Sequence, residues 1–305
     1  MQLKPVLATA VFLASAPGLA LAFEHTGTTL TFGYESNRLS GGPSESFVPS
    51  FNGPQLVLRS GARMGRFSGT VDMDLRRRSD SGLRLQTTRG EVHLRYAVTD
   101  AVDVGAYHSR IRQSFGGAGG GGAATVQQTG LSVAYTGAGF GIDGFAGRAR
   151  FGGEGSGKAR EFGVGAYFDP MPELRLGGVV ARFRESDEFS GTTIGGHADY
   201  TFAGGLMASA TVFQYKQSGI RLRNIGVGLE YPVMVGAQPL VLSAELNRSS
   251  IDLEQTFRNR QVRVGVTVPL GAGATAKALN SNRSVIARRP VTVSGVYDAV
   301  TFGGL

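Results

Sequence analysis

Four histidines, His25, His93, His108 and His197, offer the widest scope for acid–base or metal chemistry, and cysteine is absent. A hydrolase would need a nucleophile and a base within hydrogen-bond reach of each other. His108 and Ser109 are adjacent, so in an extended chain their side chains point to opposite faces and cannot pair there. His93 shares a face with Arg95, and His197 shares one with Asp199, because a strand repeats every two residues. No two histidines stand at ligand spacing on one strand. No catalytic, metal-binding or cofactor-binding residue is therefore assigned, and no enzyme activity is expected. The Gly-x-Gly runs, such as Gly163-Val164-Gly165, lack the strand-then-helix setting of a nucleotide loop. His93 and His197 are read as polar lining, which raises the question of what they line.

The elements that would position them are strands. Phe67, Tyr96, Tyr135, Phe140, Phe168, Tyr200 and Tyr231 each sit at one end of a short alternating segment, in phase with its apolar residues. In FSGTVDMDL the apolar set is Phe67, Val71, Met73 and Leu75; in EFGVGAYF it is Phe162, Val164, Ala166 and Phe168. Rings gathered at one depth on an apolar surface mark its meeting with a headgroup layer, as in the girdle of an outer-membrane β-barrel. The expected fold class is all-β: a transmembrane up-and-down antiparallel β-barrel of about 14 strands, with 12–16 as the range.

Three segments follow. Residues 1–22 read as a cleaved signal peptide: MQLK is basic, PVLATAVFLASA is a short apolar run, and Ala20-Leu21-Ala22 fits a small-x-small cleavage site. Residues 23–270 form the barrel. Residues 271–305 are a polar extension, periplasmic or plug-like, with VTVSGVYDAV as one further strand candidate. No later run of 18 apolar residues offers a membrane-spanning helix.

Strand-period segments fall near 27–36, 54–61, 66–76, 89–98, 101–113, 127–136, 139–151, 160–168, 173–184, 192–202, 205–215, 222–231, 239–248 and 257–270. Short and long connections alternate between them. The short ones carry turn residues, such as DPMP and AGG, and belong on the periplasmic side. The ringed ends listed first then lie at the periplasmic interface. Tyr34, Phe151, Phe183, Phe213, Tyr215 and Phe257 lie near the long loops and are expected to mark the outer interface, although several are out of phase with their strands.

The opposite phase is polar or small. Asp72, Asp74, Glu91, His93, Arg95, Arg175, His197, Asp199 and Arg263 are the lumen-lining candidates, accompanied by Gly130, Gly163, Gly177 and other inward glycines. Ions buried without water or partners cost several kcal/mol each, so a water-filled lumen is expected. Arginine instead crowds the loop-proximal strand ends: Arg76, Arg77, Arg78, Arg110, Arg112, Arg148, Arg150, Arg182, Arg184, Arg258 and Arg260. Guanidinium binds phosphate as a fork. With a net charge of +8, this rim is expected to meet lipopolysaccharide phosphates and bias the mouth towards anions, with a solvated charged rim as the alternative. Nucleic acid, the other usual partner of a basic protein, is not expected.

In this pattern the chain resembles the Gram-negative outer-membrane porin superfamily over roughly 23–270. TGTTLTFGYES is similar to the first strand of general porins. The resemblance implies that SFGGAGGGGAATV stands where the third outer loop folds into the channel, which makes Phe115, Gly116 and Gly117 constriction-loop candidates. The acidic residues usual in that loop are missing. The family ends on an aromatic residue read by the barrel-assembly machinery, whereas this chain ends Thr301-Phe302-Gly303-Gly304-Leu305. The count of fourteen is closer to monomeric outer-membrane channels than to trimeric ones, and either state is left open. The sequence therefore points to a porin-like channel in the outer membrane of a Gram-negative bacterium, for passive diffusion of small hydrophilic solutes. A structural or adhesion barrel without an open pore is the alternative, and a hydrolase at the rim is a remote one. The expected partners are outer-membrane lipid, lipopolysaccharide, the assembly machinery and the solutes.

Overall fold

A computed structural model describes residues 24–41, 50–80, 82–117, 120–153, 157–184, 190–217, 219–252 and 256–270. Residues 1–22, read above as a signal peptide, and the 271–305 extension lie outside the described residues. Fourteen strands follow in order: β1 (Glu24–Ser40), β2 (Ser50–Met64), β3 (Phe67–Asp80), β4 (Leu83–Ala97), β5 (Val102–Gly117), β6 (Gly120–Gly137) and β7 (Phe140–Gly152), then β8 (Gly157–Met171), β9 (Leu174–Arg184), β10 (Ser190–Thr201), β11 (Met207–Gln217), β12 (Ile220–Val235), β13 (Gln238–Asp252) and β14 (Thr256–Leu270).

Each strand pairs antiparallel with its sequence neighbours, and β1 pairs β14 from Thr28↔Leu270 to Ser40↔Arg258. The sheet is thus a closed up-and-down barrel, which leaves no strand edge unpaired. Closure is what a membrane demands, because unpaired backbone groups have no water to turn to in hydrocarbon. Extensive backbone contact is confined to neighbouring strands.

The pleat sorts the side chains. Outward positions expose a continuous apolar band that includes Phe32, Leu94, Leu131, Val164, Ile225 and Leu246. A face of this kind is stable against lipid and would aggregate in water. The seven rings at the short-turn ends are all exposed on this face; Phe67 and Tyr96 pair between the neighbouring strands β3 and β4, and Tyr135 and Phe140 pair across the β6–β7 turn, with centroids 4.9 and 5.6 Å apart. Gly65 and Gly139 adopt positive φ at two of these turns, a conformation most side chains resist.

The outer connections differ from expectation. The stretch after β5 is not a loop folded into the channel. Instead β5 and β6 continue as a hairpin, with Phe115↔Gly122, Gly116↔Gly121 and Gly117↔Gly120 in register. Arg77–Thr88 is likewise paired strand, from Arg77↔Gln86 to Asp80↔Leu83. A long connection in sequence is therefore mostly extended wall, because a hairpin satisfies its backbone groups internally.

Candidate functional site

The inward phase builds the site. Asp72, Asp74, Glu91, His93, Arg95, Arg175, His197, Asp199 and Arg263 all take inward positions. Their solvation is uneven. Asp72, Arg95 and Arg175 are partly exposed in the half nearer the short turns, whereas Asp74, Glu91, His93, Asp199 and Arg263 are buried. Solvent reaches the first group, whereas the second group is covered by its neighbours.

Pairing is what keeps those buried charges tolerable. On the β13–β14–β1–β4 arc, Glu35 lies 2.7 Å from Arg78 on β3 and 2.9 Å from Arg263 on β14, while Arg263 also lies 3.4 Å from Glu245 on β13. Gln261 donates to Glu35 at 3.3 Å. Asp74 pairs with Arg76 and accepts hydrogen bonds of 3.1 and 3.2 Å from Gln55. Glu91 pairs with Arg89 on one side and with His93 at 2.5 Å on the other. Among these groups four arginines (Arg76, Arg78, Arg89, Arg263) face four carboxylates (Glu35, Asp74, Glu91, Glu245), so the formal charges cancel before His93 is counted. Below them, Arg59 pairs Asp72 at 2.5 Å in a more solvated setting.

The facing arc carries the interior's aromatic cluster. Tyr107, Phe145, Ala149, Ala181, Phe183, Phe213, Tyr215, Leu222 and Ile251 form one buried cluster, with Phe151 and Phe257 packed against it. Phe151, Phe183, Phe213, Tyr215 and Phe257 thus point inward and do not form an outer aromatic girdle; only Tyr34 of that expected set faces outward, 52% exposed. The out-of-phase placement visible in the sequence was the signal, since phase decides the face.

Glycines seat these rings. Phe183 and Tyr215 stack at 5.7 Å and 11° across the intervening β10, where a Cβ on Gly191 would collide with Phe183. Phe145 lies over Gly163, its registered neighbour on β8. Tyr107 lies over Gly130 and Gly147 and reaches three strands along, donating to Glu161 at 2.7 Å. Gln128 donates to the other Glu161 oxygen at 2.5 Å. His197 occupies the space left by Gly177 and lies 3.6 Å from Asp199. These inward glycines accommodate rings laid along the wall.

Two rim candidates, Arg76 and Arg78, prove to be buried inward residues of the ionic arc. Their even-numbered phase on β3 is the inward one, shared with Asp72 and Asp74. Arg77, Arg110, Arg112, Arg148, Arg150, Arg182, Arg184, Arg258 and Arg260 are exposed on the outward face. They face the membrane side, so they do not ring the mouth. Phe115 is 59% exposed at the top of β5, with its ring over Gly122. Glu35 was missed as an inward acid, although its two-residue step from Thr31 and Gly33 marked it. Among the described residues no group of three or more potential metal ligands gathers.

On the outward face between β10 and β13 a concavity of about 650 Å³ lies where small residues, Ala198, Ala208, Ala210 and Ala244, stand among Val227 and Leu246.

No family model matches the sequence, and no curated protein matches it. Solved structures do match in shape. A monoaromatic hydrocarbon channel, CymD, superposes with TM-score 0.57 at 12% identity, covering 82% of this chain and 90% of that one. A FadL homologue of Pseudomonas aeruginosa gives 0.55 at 10% identity, covering 80% and 89%. An anion-selective porin from Comamonas acidovorans gives 0.52 at 9% identity, covering 81% and 100%. At such identities the likeness is one of architecture, and it agrees with the porin-like resemblance of the sequence: the fold is that of the outer-membrane β-barrel channels.

Proposed function

We propose that the protein is an outer-membrane channel for passive movement of small solutes that carry both a polar and an apolar part. The reading rests on one observation: a layer in the middle and outer interior sets a charge-balanced ionic arc opposite an aromatic wall. A purely hydrophilic pore has no use for a buried Phe183–Tyr215 stack, and a purely hydrocarbon path has no use for eight ionised groups. The hydrocarbon channels among the structural neighbours support the apolar half of this reading, and the porin supports the polar half.

The layer also predicts how such a channel behaves. Its inward groups are buried, so conductance in this state is small and solute entry requires the rings or ion pairs to move. Within the arc four cations offset four anions, so the arc itself contributes little ion selectivity. The outward direction of the remaining arginines removes the basis for a strongly anion-biased mouth. A structural barrel without an open pore is the second reading, favoured by the same burial: Glu35 and Ile111 are fully covered.

Planar-bilayer recording on the full chain separates the two. A channel shows stepwise openings with reversal potentials near zero. The double variant Phe183→Ala/Tyr215→Ala enlarges them, and removing residues 271–305 enlarges them if that extension acts as a plug. Silence of the wild type and of both variants would leave the structural reading standing.

A further inference from the structure

We propose that two rows of outward arginines are binding sites for the phosphate groups of a phosphorylated glycolipid in the outer leaflet. One row is Arg148, Arg160 and Arg184, which stand in direct register on β7, β8 and β9. The other is Arg248, Arg260 and Arg38, in direct register on β13, β14 and β1. Around the barrel the two rows lie on opposite sides. This inference rests on the outer-membrane placement proposed above and is independent of whether the pore opens.

Three features converge on a lipid phosphate. First, strands pack about 4.8 Å apart, so each row brings three guanidiniums side by side, where like charges directly opposite each other oppose pairing. Further cations reinforce the first row: Arg150 registers with Lys158, and Arg182 lies one outward step below Arg184. The registered neighbours of Arg148, Arg150, Lys158, Arg160 and Arg182 are threonine, glutamine, phenylalanine or another cation, never a carboxylate. An external anion relieves that repulsion, and the guanidinium fork suits a phosphate monoester.

Second, both rows lie towards the long-connection ends of their strands. Arg148 stands eight residues from Phe140 and Arg160 eight from Phe168, two of the short-turn rings, and Arg248 and Arg260 each stand ten residues from the short-turn ends of β13 and β14 at Gln238 and Leu270. At about 3.3 Å per residue and a tilt of about 40°, eight residues give roughly 20 Å of height above the periplasmic interface. An outer-membrane apolar band is roughly 25 Å tall, so both rows lie at its outer edge, where lipid headgroups begin. Third, the side chains immediately below are apolar and exposed: Phe162 and Val164 under Arg160, Leu246 under Arg248, Val262 and Val264 under Arg260. A cationic row above a greasy wall matches a ligand with phosphate above acyl chains. The missing outer aromatic girdle is thereby explained, since arginine takes its place.

The test uses full-length protein in detergent, titrated with diphosphorylated lipid A, with the same lipid after phosphate removal, and with inorganic phosphate, and read by native mass spectrometry. Flotation with phosphatidylcholine vesicles runs alongside. Wild-type protein should retain two phosphorylated lipids and discriminate against the dephosphorylated one. The variant Arg148→Gln/Arg160→Gln/Arg184→Gln should lose one of them, with affinity falling roughly tenfold or more, as expected for lost charge-assisted bonds. Arg38→Gln/Arg248→Gln/Arg260→Gln should lose the other, while Arg77→Gln should change nothing. Heat-modifiable migration on gels reports folding. If a glutamine variant does not fold, the corresponding triple lysine variant, which keeps charge but loses the fork, should still bind more weakly than wild type. Equal binding of both lipids, full competition by millimolar inorganic phosphate, or unaltered binding by the variants would overturn the proposal while leaving the channel reading intact. Failure to float with vesicles would overturn the membrane placement and this inference with it.

Discussion

Replacing Glu35 with alanine probes the barrel at its seam. Glu35 is fully buried on β1 and receives Arg263 from β14 at 2.9 Å and Arg78 from β3 at 2.7 Å. Its registered neighbour on β2 is Gly53, so no side chain intervenes between the carboxylate and Arg78. One group therefore links three strands across the β1–β14 closure. Breaking a buried ion pair by deleting one partner costs roughly 3–5 kcal/mol, because the remaining charge is left without its counterion. The same deletion at a solvated pair costs about 1 kcal/mol or less. The buried geometry selects the larger figure, a factor of roughly a hundred to a few thousand in the folding equilibrium. The chain has no tryptophan, so unfolding from vesicles is followed by circular dichroism and by the heat-modifiable gel shift. Glu24→Ala, at the exposed start of β1, serves as the control and should stay within about 0.5 kcal/mol of wild type. The double variant Glu35→Ala/Arg78→Ala should recover part of the loss, since it removes a charge that the single variant strands. A loss below about 1 kcal/mol for Glu35→Ala would refute the reasoning, because it would mean that water screens this layer.

Four further outcomes follow from the same fold. Tyr107→Phe removes a hydrogen bond to the Glu161 carboxylate and should destabilise by roughly 1.5–3 kcal/mol in the same unfolding assay. Gly147→Val would drive a side chain into the Tyr107 hydroxyl and should cost roughly 1–3 kcal/mol, with only part of that loss cancelled when Tyr107→Ala is added, because the Thr129 backbone oxygen also lies 2.8 Å from the added carbon. Val227→Arg, in the middle of the outward apolar stretch of β12, should cost roughly 2–4 kcal/mol in a bilayer and much less in short-chain detergent. Phe115→Ala should leave both conductance and stability nearly unchanged, within about 0.5 kcal/mol, because its ring sits on the exposed top of a hairpin.

The two-residue repeat carries a great deal of this protein. Phe162, Val164, Ala166 and Phe168 announce an outward face, and Asp72 and Asp74 an inward one, because the pleat is a local property that needs no partner strand. The number of strands and the inward direction of His93, His197 and Arg263 follow from it. The same repeat contained the directions of Glu35, Arg76 and Phe183. For Arg76 and Phe183, nearness to a loop suggested a rim or girdle role, while phase pointed inward.

What the chain alone could not decide is everything set between strands. That Arg78 meets Glu35 across Gly53, that Tyr107 crosses two glycines to reach Glu161, and that Arg148, Arg160 and Arg184 fall into one row all depend on register. Register is a property of paired backbones, and only closing β1 onto β14 brings together residues more than two hundred positions apart in sequence, as in Glu35 with Arg263. Alternation within each strand says which way a side chain points; the hydrogen-bonded ladder between strands says whom it meets.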